Sequence, residues 1–133
     1  MQPDFDAMAH AARSLVNKAA RHDLWKAALH LDEWYFVGVD HAGEAEPLVG
    51  MYEGRPYLFA FTDGERAEEF ANARAARKGG DAGVLLTMPP SDAVEYLVEI
   101  REQVDGILIN SGEFGFTSEP LDLKDMRDRY LKA

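Results

Sequence analysis

Arg55-Pro56-Tyr57-Leu58-Phe59-Ala60-Phe61-Thr62-Asp63-Gly64-Glu65 is an apolar run that ends abruptly at a polar turn, and its reading decides the fold. In an extended chain Tyr57, Phe59 and Phe61 share one face while Leu58 and Ala60 share the other. Neither face suits water, so the run predicts a central strand. Thr62-Asp63-Gly64-Glu65 then fits a capping box, with a Thr oxygen and a Glu carboxylate satisfying backbone N–H groups at a helix start. The chain is expected to pass from strand to helix there.

Upstream, Phe5, Met8, Ala9, Ala12, Leu15, Val16 and Ala19 recur at helical spacing, with Asp4 placed to cap, which predicts an amphipathic first helix within residues 1–20. Leu24, Trp25, Ala28, Leu29 and Leu31 predict a second, short helix. Glu33 to Val39 is rich in aromatic and β-branched residues and predicts a strand, with the polar segment Asp40–Pro47 read as the turn that ends it. Leu48 to Tyr52 predicts the next strand. Glu53-Gly54 leaves room for a tight hairpin into the Tyr57 strand, so these three are expected to form an antiparallel meander.

Downstream, Ala67, Phe70, Ala71, Arg74 and Ala75 make a helical stripe, closed by the basic residue Lys78 and the glycines Gly79 and Gly80. Gly83 to Met88 reads as a buried strand. Pro89-Pro90-Ser91-Asp92 opens a further helix, with Ser91 as its cap. Gly106–Ile109 is a short strand, Asn110–Ser118 a loop and Asp122–Leu131 a last helix. The expected class is therefore α+β: N-terminal helices, the meander, then β-α-β-α-β-α alternation completing one mixed sheet of about five strands.

A chain of 133 residues is expected to form one domain, 1–133, burying roughly two thirds of its unfolded surface. Without cysteine it has no disulfide, thiolate metal site or Cys nucleophile, which suits a reducing compartment. An acidic start and the lack of any apolar run near the ~20 residues of a membrane helix point to a cytoplasmic protein, not a membrane-bound one. The formal charge is −10, and the first thirty residues are close to neutral, so the excess lies in the rest. Such a body repels phosphate backbones, which argues against nucleic acid and in favour of basic partners.

No cofactor and no metal are expected. The histidines His10, His22, His30 and His41 lack ligand spacing, no serine sits in a nucleophile elbow, and no glycine run makes a phosphate loop. Glu65, Glu68 and Glu69 crowd a helix start, where the macrodipole favours carboxylates without any catalytic role. Geometry offers more. If the Tyr57, Gly83 and Gly106 strands run parallel, their ends collect Thr62, Asp63, Thr87, Asn110, Ser111 and Gly112 on one sheet edge beside helix N-termini. A small ligand is expected there if anywhere, lidded by Phe114 and Phe116. The competing reading is structural: Thr62 caps, Asn110 turns the chain and the two phenylalanines close the core. The rings of Trp34, Tyr35, Phe36, Tyr52, Tyr57, Phe59 and Phe61 exceed what one sheet face hides under few helices, so an aromatic sheet surface for a protein partner or homodimer is a second expectation.

Leu24-Trp25-Lys26-Ala27-Ala28-Leu29 leading into Trp34-Tyr35-Phe36-Val37, then Pro56-Tyr57-Leu58-Phe59-Ala60-Phe61-Thr62, then Val104-Asp105-Gly106-Ile107-Leu108-Ile109-Asn110, resemble the N-terminal domain of the SseB family of bacterial proteins. The resemblance covers most of residues 24–112. That family usually follows its asparagine with proline, where this chain has Ser111, and many members carry a second domain for which there is no room here. It implies the fold, no agreed catalytic residue, and a noncatalytic interaction or regulatory module. An acidic immunity-type protein that occludes a basic toxin, and a small-molecule protein or enzyme using the Thr62, Asp63 and Asn110 edge, are the two alternatives.

Overall fold

The computed structural model describes residues 3–13, 18–41, 43–79 and 83–131. Among them the chain is a mixed α+β fold with five helices and seven strands. Asp4 caps α1 (Phe5–Ala12) as expected, its Oδ1 accepting from the Ala7 N–H at 3.1 Å. The first helix is shorter than its apolar stripe: Leu15 and Val16 lie outside the described residues, and α2 (Lys18–Leu29) already contains Ala19.

β1 (Trp34–His41) extends further than the sequence suggests, and the supposed turn after it contains β2 (Glu44–Pro47), paired antiparallel with β1 from Gly38 to His41. Glu44, Ala45 and Glu46 are all exposed, so no apolar alternation marks this strand; backbone pairing holds it. β3 (Val49–Tyr52) joins β4 (Arg55–Ala60) through the two-residue turn Glu53-Gly54, both at positive φ, the backbone of a type I′ hairpin.

Leu48 is the pivot. Its N–H donates to the Val37 carbonyl at 2.9 Å while its carbonyl accepts from Phe59 at 3.2 Å, so one kinked strand leaves β1 and joins β4. The hydrogen-bonded order is accordingly two sheets, β2-β1-β5 and β3-β4-β6-β7, in place of one sheet. They touch where Tyr35 and Phe61 exchange both backbone bonds, at 2.9 and 2.8 Å.

α3 (Gly64–Lys78) follows β4, but the capping box does not form: Asp63 is the cap, its Oδ1 accepting from Arg66 N–H at 2.8 Å. Thr62 is buried and its hydroxyl is turned inward to Asn110. Gly79 ends the helix at φ 78, and Gly80 lies outside the described residues. β5 (Val84–Met88) is antiparallel to β1 and lies at the sheet margin, with Val84 and Leu85 54% and 42% exposed, so it is an edge strand and not a buried one. α4 (Pro90–Glu99) begins after Pro89 with no side-chain cap, so Ser91 does not cap it. β6 (Gly106–Ile109) is buried throughout and parallel to β4; β7 (Phe116–Ser118) lies inside the expected loop, and α5 (Pro120–Tyr130) closes the chain.

Burial follows the strand alternation read from Tyr57–Phe61. Trp34, Phe36, Leu58, Ala60, Ile107 and Ile109 face one core with α1, α2, α4 and α5, while Val37, Phe59, Phe61 and Leu108 face a second with α3. The Trp34 indole is buried with its N–H donating to the Ala28 carbonyl at 2.7 Å, tying the start of β1 to the last turn of α2. Among the described residues no helix is long and apolar enough to cross a membrane.

Candidate functional site

Strand direction places the expected site residues along one margin, by a different route from the one anticipated. β4 and β6 are paired directly and in parallel, whereas β5 is separated from β4 by β1. Tyr35 sits between them, opposite Phe61 on one side and Thr87 on the other. The C-terminal ends of β4, β5 and β6 therefore face the same way, but Thr87 is two strand spacings, about 10 Å, from the end of β4.

Thr62 and Asn110 form the tight part of this margin. Asn110 continues the ladder through its N–H to the Ala60 carbonyl at 2.9 Å, then turns the chain at φ 56, a left-handed conformation that a short amide side chain tolerates. Its Oδ1 accepts from the Thr62 N–H at 3.0 Å, and its Nδ2 donates to Thr62 Oγ1 at 3.0 Å. Thr62 Oγ1 also lies 3.3 Å from Oδ1. Both residues are under 5% exposed. The amide and the hydroxyl satisfy one another, as buried polar groups must.

Asp63 is similarly engaged. Besides capping α3 it accepts from Arg66 Nε at 2.9 Å, and Arg66 reaches on to Asp6 at 3.0 Å, joining α3 to α1. Burial pulls the Arg66 guanidinium down, but Asp6 and Asp63 more than offset it and hold it above its ordinary value. Ser111 and Asn110 border a shallow hollow of about 250 Å3 with Phe61, Arg66, Glu69 and Phe70. Gly112 is exposed at φ 130, its carbonyl accepting from Gly115. On the other flank Thr62 and Tyr35 border a second hollow, of about 480 Å3, with Ala27, His30 and Leu31. There the Tyr35 hydroxyl donates to Glu33 at 3.0 Å, and that hydrogen bond, with the Glu33 charge, holds the phenol above its ordinary pKa.

Phe114 and Phe116 are committed to the N-terminal helices. Phe116 stacks on Phe5 at 6.5 Å and meets Trp25 edge-on at 5.0 Å, while Phe114 lies against His10 and under the Arg13 guanidinium at 5.8 Å. The structural reading of these two rings is the one their contacts support.

Among the described residues no three His, Asp or Glu side chains gather as a metal would require. His22 is in short contact with the Tyr130 hydroxyl and His30 with the Lys26 carbonyl at 2.7 Å; the His41 side chain lies outside the described residues.

The aromatic sheet surface is largely absent: Trp34, Phe36, Phe59 and Phe61 are buried, and only Tyr35, Tyr52 and Tyr57 stay half-buried. Large apolar exposure lies elsewhere, on Met51 (67%) and Val49 of β3, on Val84 and Leu85 of β5, and on Leu121. The sequence offers no signal for these positions, because an apolar residue reads alike on an edge strand and a central one. No family model matches the chain, and the search of curated proteins found no match to it.

Proposed function

We propose that this chain is a noncatalytic protein-interaction module, SseB-like in kind, that presents the β3–β4 hairpin to a basic protein. The carrying observation is the exposure of Met51 and Val49 on a strand whose flanks are acidic. Glu44, Glu46 and Glu53 are all exposed along the β2–β3 arm, and the nearest cation in sequence, Arg55, is already paired with Asp105 at 3.3 Å. An apolar spot ringed by carboxylates complements a surface carrying Lys and Arg around an apolar anchor. The formal charge of −10 draws such a partner from a distance. An immunity-type protein facing a basic toxin is one member of this class.

The strand-end margin supports a ligand less well, because Thr62, Asp63 and Asn110 already bind protein groups. Cross-linking from position 53, with a photoreactive side chain replacing Glu53, tests the proposal in the native cytoplasm. A basic protein is expected in the adduct, lost when Met51→Lys is introduced and weakened by salt. A partner indifferent to Met51→Lys removes the hairpin from the account.

A further inference from the structure

The margin of the other sheet points to a different kind of contact. Among the described residues β5 pairs with one strand, β1, and the hydrogen bonds of β1 show which of its groups are left over. Tyr35 gives its N–H and C=O to Phe61, and Val37 gives its carbonyl to Leu48. Backbone groups alternate along a strand, so Trp34, Phe36 and Gly38 are the residues that face β5, opposite Met88, Leu86 and Val84. Leu85 and Thr87 therefore direct their N–H and C=O groups away from the sheet, with no partner among the described residues. Only another extended backbone matches that spacing of donors and acceptors.

We propose that β5 pairs antiparallel with β5 of a second copy of this chain, giving a two-fold dimer with a continuous sheet across the seam. The outward set is self-complementary. A two-fold axis at Leu86 places Leu85 opposite Thr87 of the second copy and Thr87 opposite its Leu85, each pair exchanging both bonds. Charge selects a copy over a foreign strand. Val84-Leu85-Leu86-Thr87-Met88 carries no ionisable group, so the seam lacks the lysine or inward charge that usually guards an edge, and two bodies of −10 do not meet like charges there.

The helix above the seam adds attraction. α3 packs over β1 and β5, and it carries Glu65 and Glu68 in its first half and Arg77 and Lys78 in its last turn. The chain enters β5 soon after α3 ends, so the two run in opposite directions. The two-fold axis then lays α3 antiparallel to α3 of the second copy, with acidic end toward basic end. Adjacent strands lie about 4.8 Å apart, so the helices sit roughly 10–15 Å apart, within reach of long charged side chains. This inference is independent of the hairpin reading: it uses a different strand, and Met51→Lys leaves it untouched.

Sedimentation equilibrium of the full chain from about 1 µM to about 1 mM, the range a small interface calls for, is the test. The wild-type mass should rise from 14.8 kDa toward twice that value with concentration. Thr87→Pro removes an N–H that β1 does not use, a position where an edge strand tolerates proline, and should hold the chain at monomer mass with unchanged circular dichroism. Leu85→Lys should do the same through an exposed side chain, and it decides the matter if the proline variant fails to fold. Thr87→Val, which keeps the backbone, should still dimerise. A wild-type chain that stays at 14.8 kDa throughout, or a dimer that survives Leu85→Lys, overturns the proposal.

Discussion

The Asn110 side chain closes on Thr62 across 48 residues of sequence, accepting from its N–H and donating to its hydroxyl, both at 3.0 Å. This pair fastens the ends of two parallel strands whose ladder otherwise stops at Ala60 and Ile109. Asn110→Ala removes both hydrogen bonds that the Asn110 amide makes to Thr62, and it places alanine at φ 56. The expected loss is about 2–5 kcal/mol, from two buried hydrogen bonds removed plus the left-handed penalty. Asn110→Gly should recover only the backbone part. Urea midpoints of the two variants, at unchanged slope, measure the difference.

Asp63, not Thr62, caps α3. Asp63→Ala should cost about 1 kcal/mol through the lost cap, and somewhat more through the released Arg66. Glu65→Ala should cost less than 0.5 kcal/mol, since the capping box is unmade. Thermal unfolding of both variants distinguishes the arrangements, because a working box would make Glu65 the more sensitive of the two.

Of the glycines that stand where strands approach too closely for a side chain, Gly106 and Gly50 differ in what blocks them. A Cβ on Gly106 would lie 2.2 Å from the Ser118 carbonyl oxygen, and one on Gly50 would lie 2.9 Å from the Phe59 ring. The first obstacle is backbone, so Gly106→Ala should peel β7 away and cost more than about 3 kcal/mol. The second is a ring packed against Phe70, so Gly50→Ala should cost about 1–3 kcal/mol. Phe59→Ala, by comparison, should cost about 3–5 kcal/mol as a large core truncation. Chemical denaturation ranks the three.

Alkaline pH tests the Tyr35–Glu33 contact. The folded phenol is raised above 10.0, first by its hydrogen bond to Glu33 and then by that carboxylate's charge. The contribution is therefore fully present below about pH 10 and is lost as pH rises through the folded value. Tyr35→Phe should flatten the fall in stability above pH 10, leaving the part due to Tyr96, whose phenol is raised by burial and then by Glu46 and Glu99. Unfolding free energies from about pH 8 to about pH 12 give both slopes.

Much of this fold is written locally. β4 is legible because apolar residues occupy both faces, and the Glu53-Gly54 hairpin is legible because two polar turn residues between apolar runs leave room only for a tight connection. The hidden strands are hidden for physical reasons. Glu44-Ala45-Glu46 has no apolar alternation, and Phe116-Thr117-Ser118 is too short to show any. β5 reads as buried because an uncharged apolar run carries no record of how many strands flank it. At the strand ends, the residue types that suit a ligand also suit a lock. Only the parallel pairing of β4 with β6 shows that Thr62 and Asn110 face each other.

That lock is the central claim, and it has one direct probe. The Thr62 N–H is either held by Asn110 Oδ1 or available to something else, and its hydrogen–deuterium exchange reports which. We predict exchange slowed to nearly the limit of global unfolding in the native chain, and hundredfold or more faster in Asn110→Ala after correction for the variant's lower stability. Rapid exchange of Thr62 in the native chain, beside slow exchange of Leu58 and Phe59, would contradict it.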